Sequence, residues 1–272
     1  SSAASDVYKR QEIIKRARDA GVTRIVNIAT DLTSSEIVIE SVIKYDGVFA
    51  AVGIHPQDSA NLPVDWHQTL RNLLRQKKVV AVGEIGLDYY REYSPKATQQ
   101  EVFRAQVLIA RELGLPLILH DRQAHADLKR ILMEIGYYRG VLHCFSGNAD
   151  FAREMTDLGF YISFTGNATY GNKKTEAAVQ AVPLDKLMLE TDAPFLAPAG
   201  KRGEINEPAN IPLIAEKIAE LEIYWPTTKS KQVFKDVDVG QSIEIKEFAT
   251  DFVKLNWTSI DLGNVRDIQL EE

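Results

Sequence analysis

The apolar run Val79-Val-Ala-Val-Gly-Glu-Ile-Gly-Leu-Asp88 ends abruptly in two glycines that bracket Glu84. An unbroken Val/Ala stretch without polar alternation predicts a parallel strand covered on both faces, and glycines at its end admit another backbone or a ligand. The pattern recurs along the chain. Strand-like runs also begin near Thr23, Val48, Pro116, Gly140, Phe160 and Leu187. Several stop at polar groups: Gly53-Ile-His55-Pro, His120-Asp-Arg122, His143-Cys-Phe-Ser-Gly and Glu190-Thr-Asp192-Ala-Pro. Between them, helical spacing predicts helices over 34–45, 66–76, 96–113, 124–135, 150–158 and 172–182, with others over 12–20, 209–221 and 227–234.

Strand–helix alternation predicts an α/β protein, and metal-type ligands at the carboxyl ends of successive parallel strands converge at the mouth of a TIM-type (β/α)8 barrel. With Val79 the strand starts number seven, where a closed barrel has eight, and the first is the one missing. The 272 residues, 45% of them hydrophobic, suit one barrel with a full core. Residues 1–11 resemble nothing that follows. Reverse-translated, they match an adapter used in preparing sequencing libraries, and they read as a scar. The barrel then occupies 12–234. The tail, 235–272, has no assigned structure: 242–246 and 252–257 alternate like strands, but a disordered extension or an out-of-place coding segment is the favoured reading over strands on an open barrel edge.

Charge and cysteine content narrow the partners. No apolar run approaches the ~20 residues that span a bilayer, and no signal-peptide pattern opens the sequence, so a soluble cytoplasmic protein without a membrane partner is expected. A net charge of −6 argues against a broad basic surface for duplex binding, so any nucleic-acid contact is local. Small basic groups, Lys173-Lys174, Lys201-Arg202 and Arg122, lie in the expected strand-to-helix loops. The one cysteine, Cys144, leaves no internal disulfide and reads as a small buried residue.

Taken singly, His120 and His143 have a reading as satisfied core histidines, and Glu84 and Asp192 as capping or salt-bridged carboxylates. Together at strand ends they suit a divalent metal, Zn, Mn, Fe or Mg, and Glu84 is the candidate to bridge two ions. His55 is read as a donor to substrate oxygen in preference to a ligand. His67 reads as a surface residue and His125 as local packing or a cap.

The motifs Val-Gly-Glu84-Ile-Gly-Leu-Asp, Leu-His120-Asp-Arg-Gln-Ala-His, His143-Cys-Phe-Ser-Gly, Glu190-Thr-Asp192-Ala-Pro-Phe-Leu and Asn206-Glu-Pro-Ala-Asn resemble, in order and spacing, the TatD family of metal-dependent deoxyribonucleases. The resemblance implies a (β/α)8 barrel of the amidohydrolase-like group that hydrolyses phosphodiester bonds and trims DNA from an end. It also implies that Glu84 bridges two metals, His120 and His143 complete one site, and Asp192 holds the other metal and the attacking water. The family opens with a His-x-His pair, which this sequence does not contain; the shared metal is left with Glu84 and Asp192, and weaker loading and an exposed barrel edge are expected. The expected catalytic groups are Asp192, Glu84 and His55, with His55 and Arg122 steadying substrate charge. The expected substrate is DNA, as a single strand or an end. The rivals are an ester or amide hydrolase of the same barrel, such as an aminoacyl-tRNA deacylase, and a remnant without turnover.

Overall fold

In the computed structural model, residues 2–219, 222–225, 230–233, 242–244 and 253–255 are described. Seven parallel strands form one sheet in strictly sequential order: β1 (Ile25–Ile28), β2 (Val48–Val52), β3 (Val79–Asp88), β4 (Leu117–Arg122), β5 (Gly140–Leu142), β6 (Tyr161–Phe164) and β7 (Leu187–Leu189). Each observed strand begins within two residues of its expected start. Sequential parallel pairing is barrel order, since every strand must return through a helix before joining its neighbour. The architecture is that of a TIM-type (β/α)8 barrel, with seven of its strands among the described residues.

The connecting helices are α2 (Leu32–Val42), α3 (Trp66–Leu74), α4 (Lys96–Leu113), α5 (His125–Ile135), α6 (Ala149–Leu158) and α7 (Lys173–Ala181). Their ends follow local chemistry. Asp31 and Ser34 form a reciprocal capping box at α2, and the Asn148 side chain caps α6. α4 and α5 stop at Gly114 and Gly136, both in the left-handed region that glycine adopts without a Cβ penalty. α1 (Ser2–Asp19) is continuous through the residues read as a scar, which describes their conformation and not their origin. The Arg16 guanidinium grips the Glu207 carboxylate, Nε and Nη2 reaching Oε2 at 2.9 and 2.6 Å, just ahead of α8 (Ile211–Ala219).

Ala219–Glu272 separates as a second unit. In it β8 (Glu222–Trp225) pairs antiparallel with β9 (Ser230–Val233), and β10 (Ser242–Glu244) with β11 (Val253–Leu255). The helix expected over 227–234 is therefore corrected: its Ser230–Val233 part is a strand. The residues around it are β-prone, with Ile223, Tyr224, Trp225, Thr227 and Thr228, and pairing overrides the weak helical spacing. The alternation at 242–246 and 252–257 corresponds to β10 and β11; the rest of the tail lies outside the described residues.

Candidate metal centre

β3 supplies the centre of the site because its glycines allow strands to close in. A Cβ on Gly83 would sit 2.5 Å from the Ile118 Cβ, and one on Gly86, where φ is +144°, would sit 1.9 Å from the His120 carbonyl oxygen. No other residue fits at Gly86, so β3 and β4 meet backbone to backbone beside His120. Two buried glutamines seven apart on α4 hold the strand ends. The Gln106 amide accepts from Ile54 N at 2.8 Å and donates to Ile54 O at 3.0 Å, next to His55. The Gln99 amide does the same for Asp88, at 2.9 and 3.0 Å.

On this frame three imidazoles gather around one carboxylate oxygen. Glu84 Oε1 lies 2.7 Å from His120 Nδ1, 3.2 Å from His143 Nε2 and 3.8 Å from His55 Nε2. Potential ligand atoms of His55, Glu84 and His120 all lie within 4.8 Å of one another. The outer nitrogens also have partners. His120 Nε2 faces Asp88 Oδ2 at 3.3 Å, and His143 Nδ1 faces Glu190 Oε2 at 3.1 Å. A carboxylate behind a histidine fixes its ring and tautomer, which is how metal-ligating histidines are commonly oriented.

Asp88 and Glu190 are the residues that sequence reasoning missed. They had a detectable signal: Asp88 shares the strand face of Glu84 by the two-residue repeat, and Glu190 stands two before Asp192.

The third imidazole is different. His55 Nδ1 accepts the Gln57 backbone N–H at 3.2 Å, so its remaining proton sits on Nε2, which points at Glu84. Burial lowers its pKa to about 4 and keeps it neutral. With that tautomer Nε2 of His55 carries the N–H, whereas the inward nitrogens of His120 and His143 are free to offer lone pairs once their outer nitrogens donate to carboxylates.

Without a cation, the cluster is held by protons. The His120 pKa rises to about 9: burial opposes the shift, but bonds to Asp88 and Glu84 outweigh it. His143 is likewise raised, against burial, by Glu190 and Glu84. Burial works against ionised Glu84, yet bonds from His120 and His143 hold its pKa well below the usual carboxylate range. Two imidazoles and a carboxylate that need protons to coexist are a donor set that fits a divalent cation, which would supply the same positive charge.

Asp192 follows β7 on a loop rather than within the cluster. Its φ of 54° is left-handed, and buried Asn206 braces the loop by donating to the Thr191 and Phe195 carbonyls at 2.8 and 2.7 Å. Burial pushes the Asp192 carboxyl up to about 6; the His143 charge opposes this and the Glu84 charge adds to it. It therefore feels the centre's charges without a hydrogen bond to them. Arg122 ends β4 with its guanidinium Cζ 3.9 Å from the Tyr90 ring centroid.

The remaining histidines take local roles. His67 is exposed and stacks on Trp66, while His125 Nδ1 meets Asp121 Oδ2 at 2.6 Å and its ring stacks on Phe151. Cys144 is a free thiol whose pKa burial pushes up to about 11.

Parallel strands whose carboxyl ends deliver imidazoles and carboxylates to one point define a metal-dependent hydrolase of the barrel type. The sequence pattern of the TatD-related DNase family matches residues 3–236, and the chain belongs to that family. It is 42% identical over 215 residues to the uncharacterized metal-dependent hydrolase YabD of Bacillus subtilis (strain 168), spanning 78% of this chain and 84% of that protein. It is 37% identical over 221 residues to the 3'-5' ssDNA/RNA exonuclease TatD of Cronobacter sakazakii, spanning 78% and 84%. Among solved structures, the TatD homologue YJJV of Escherichia coli K12 superposes with a TM-score of 0.75 at 33% identity, over 78% of this chain and 84% of that one. Among the described residues no helix is long and apolar enough to cross a membrane.

Proposed function

We propose that this site hydrolyses phosphodiester bonds at an end of single-stranded DNA in the cytoplasm. The observation that carries the reading is the convergence of His120 Nδ1 and His143 Nε2 on one Glu84 oxygen, each ring backed by its own carboxylate. Support for the substrate comes from the family and from a relative named as a single-strand exonuclease. Glu84, His120, His143 and Asp192 would hold the cations, two in this reading and Mg, Mn or Zn by donor type. Bound there, divalent cations acidify a water and offset phosphoryl charge.

The chain's own groups do the rest. Glu84 faces both imidazoles through one oxygen and would be the carboxylate shared between the cations. Asp192, with its raised affinity for a proton, accepts one from the attacking water. The neutral His55 donates Nε2–H to the oxygen on which charge develops, and Arg122 binds the phosphate.

The test is nucleotide release from an end-labelled single-stranded oligonucleotide with Mg²⁺ or Mn²⁺, beside Glu84→Ala. Cleavage by the parent and none by the variant is expected; equal cleavage by both would sink the reading.

A further inference from the structure

Tyr89 and Tyr90 are neighbours with opposite fates. Tyr89 is committed inward: its hydroxyl donates to Asp127 Oδ2 at 2.9 Å and accepts from Gln100 Nε2 at 2.7 Å. Tyr90 is 56% exposed, and among the described residues its hydroxyl has no hydrogen-bond partner. One ring face carries the Arg122 guanidinium at 3.9 Å, and that guanidinium has no carboxylate within ion-pair distance among the described residues. Stacked on each other at an exposed position, the ring and the guanidinium gain only a modest attraction against the cost of ordering both side chains.

The pair is also wired to the metal centre. The Tyr90 N–H donates to Asp88 Oδ1 at 2.9 Å, and the other oxygen of that carboxylate backs His120 at 3.3 Å. Arg122 lies two residues beyond His120 on β4, in register with Asp88 of β3. The ring and the guanidinium thus stand one step out from the ligands, on the same two strands. They offer a flat apolar face and a fixed positive fork side by side, the combination that takes a nucleobase and its phosphate from a single strand.

We propose that Tyr90 is a base-stacking platform, holding the terminal nucleobase on the ring face opposite Arg122 while Arg122 takes the adjoining phosphate. This deepens the nuclease reading and rests on it. The stack favours single strands, whose unpaired terminal base is free to turn onto the ring, whereas a base inside a duplex has both faces covered by its neighbours. It also gives a carboxylic ester or a small phosphate ester no equivalent hold.

The experiment is a binding cycle on the full chain in Mg²⁺. The probe is a fluorescent thymidine octamer with phosphorothioate linkages, which resist cleavage, compared with the same strand lacking bases on the two residues at each end. Removing those bases is expected to weaken binding by the parent about tenfold, in line with the loss of one or more base–aromatic stacks. Tyr90→Leu should bind the intact strand as weakly as the parent binds the base-free one, and should be indifferent to base removal; Tyr90→Phe should behave as the parent. An equal penalty for base removal in the parent and Tyr90→Leu overturns the inference. If an ordinary phosphodiester strand is still cleaved in a Glu84-dependent way, the nuclease reading survives that result. No binding of either strand by the parent overturns the inference, and Glu84-independent cleavage removes the nuclease reading beneath it.

Discussion

The middle of the sheet and its two edges are built from the same kind of sequence but meet solvent differently. In β2 and β3 most positions are buried, and Ala50, Ala51, Val52, Ile85 and Leu87 have essentially no exposure. In β1 and β7 none is buried; Val26 is 43% exposed and Met188 41%. A parallel strand needs covering on both faces and a neighbour on each side, and among the described residues the first and last strands of the row have one sheet neighbour each. The site divides along the same line. Glu84, His120 and His143 come from the central part and are locked by paired contacts, whereas Asp192 follows the edge strand β7 and depends on a loop brace. Closure of the sheet therefore bears on the Asp192 side of the site more than on the Glu84 side.

That contrast can be tested by substitution. Glu84→Ala should abolish measurable hydrolysis in the metal-loaded enzyme, since three imidazoles lose their common partner. Asp192→Asn should lower kcat by about 10²–10⁴-fold, as expected for loss of a general base, while metal affinity measured by calorimetry falls less than in Glu84→Ala. In the centre, Leu119→Ala should cost ~2–5 kcal/mol in urea unfolding, because the side chain is fully buried and leaves a cavity.

The metal-free protein should show a pH slope. His120 has a folded pKa raised to about 9, so its protonated form stabilises the fold below the unfolded value near 6.5, and that contribution is lost as pH rises through 9. The loss is on the order of 3 kcal/mol, read as a falling urea midpoint in EDTA. Asp192, raised to about 6, gives a separate loss of the same sign as pH rises from about 4 through 6. Mn²⁺ should stabilise more as pH rises, because it competes with the protons that hold the cluster. The smallest effect belongs to the edge: Met188→Lys should change stability by no more than ~0.5 kcal/mol, while reducing any concentration-dependent association measured by light scattering.

Much of this was legible in the sequence where one local rule governed. α4 was expected at 96–113 and spans Lys96–Leu113, because an amphipathic run ends at a glycine. The strand-end motifs placed His55, Glu84, His120, His143 and Arg122 at the same end of the sheet. What escaped depended on distant partners. The two-residue repeat from Glu84 and the spacing to Asp192 point to Asp88 and Glu190 as facing the site, but not to the histidine 32 or 47 residues away that each backs. The helix expected over 227–234 failed for the same reason, since a partner strand decided its state.

The Gly86 contact has a consequence for how the site ages under mutation. Because the β3–β4 spacing beside His120 is set by one backbone resting on another, the bite between Glu84 and His120 is gauged by main-chain geometry. Interior side chains elsewhere are free to drift in size without reopening that gauge. A saturation library should find Gly86 closed to every alternative, while Val80, Val82 and Ile118 accept aliphatic exchanges, and the chemistry inherits its tolerances from a position that has no side chain.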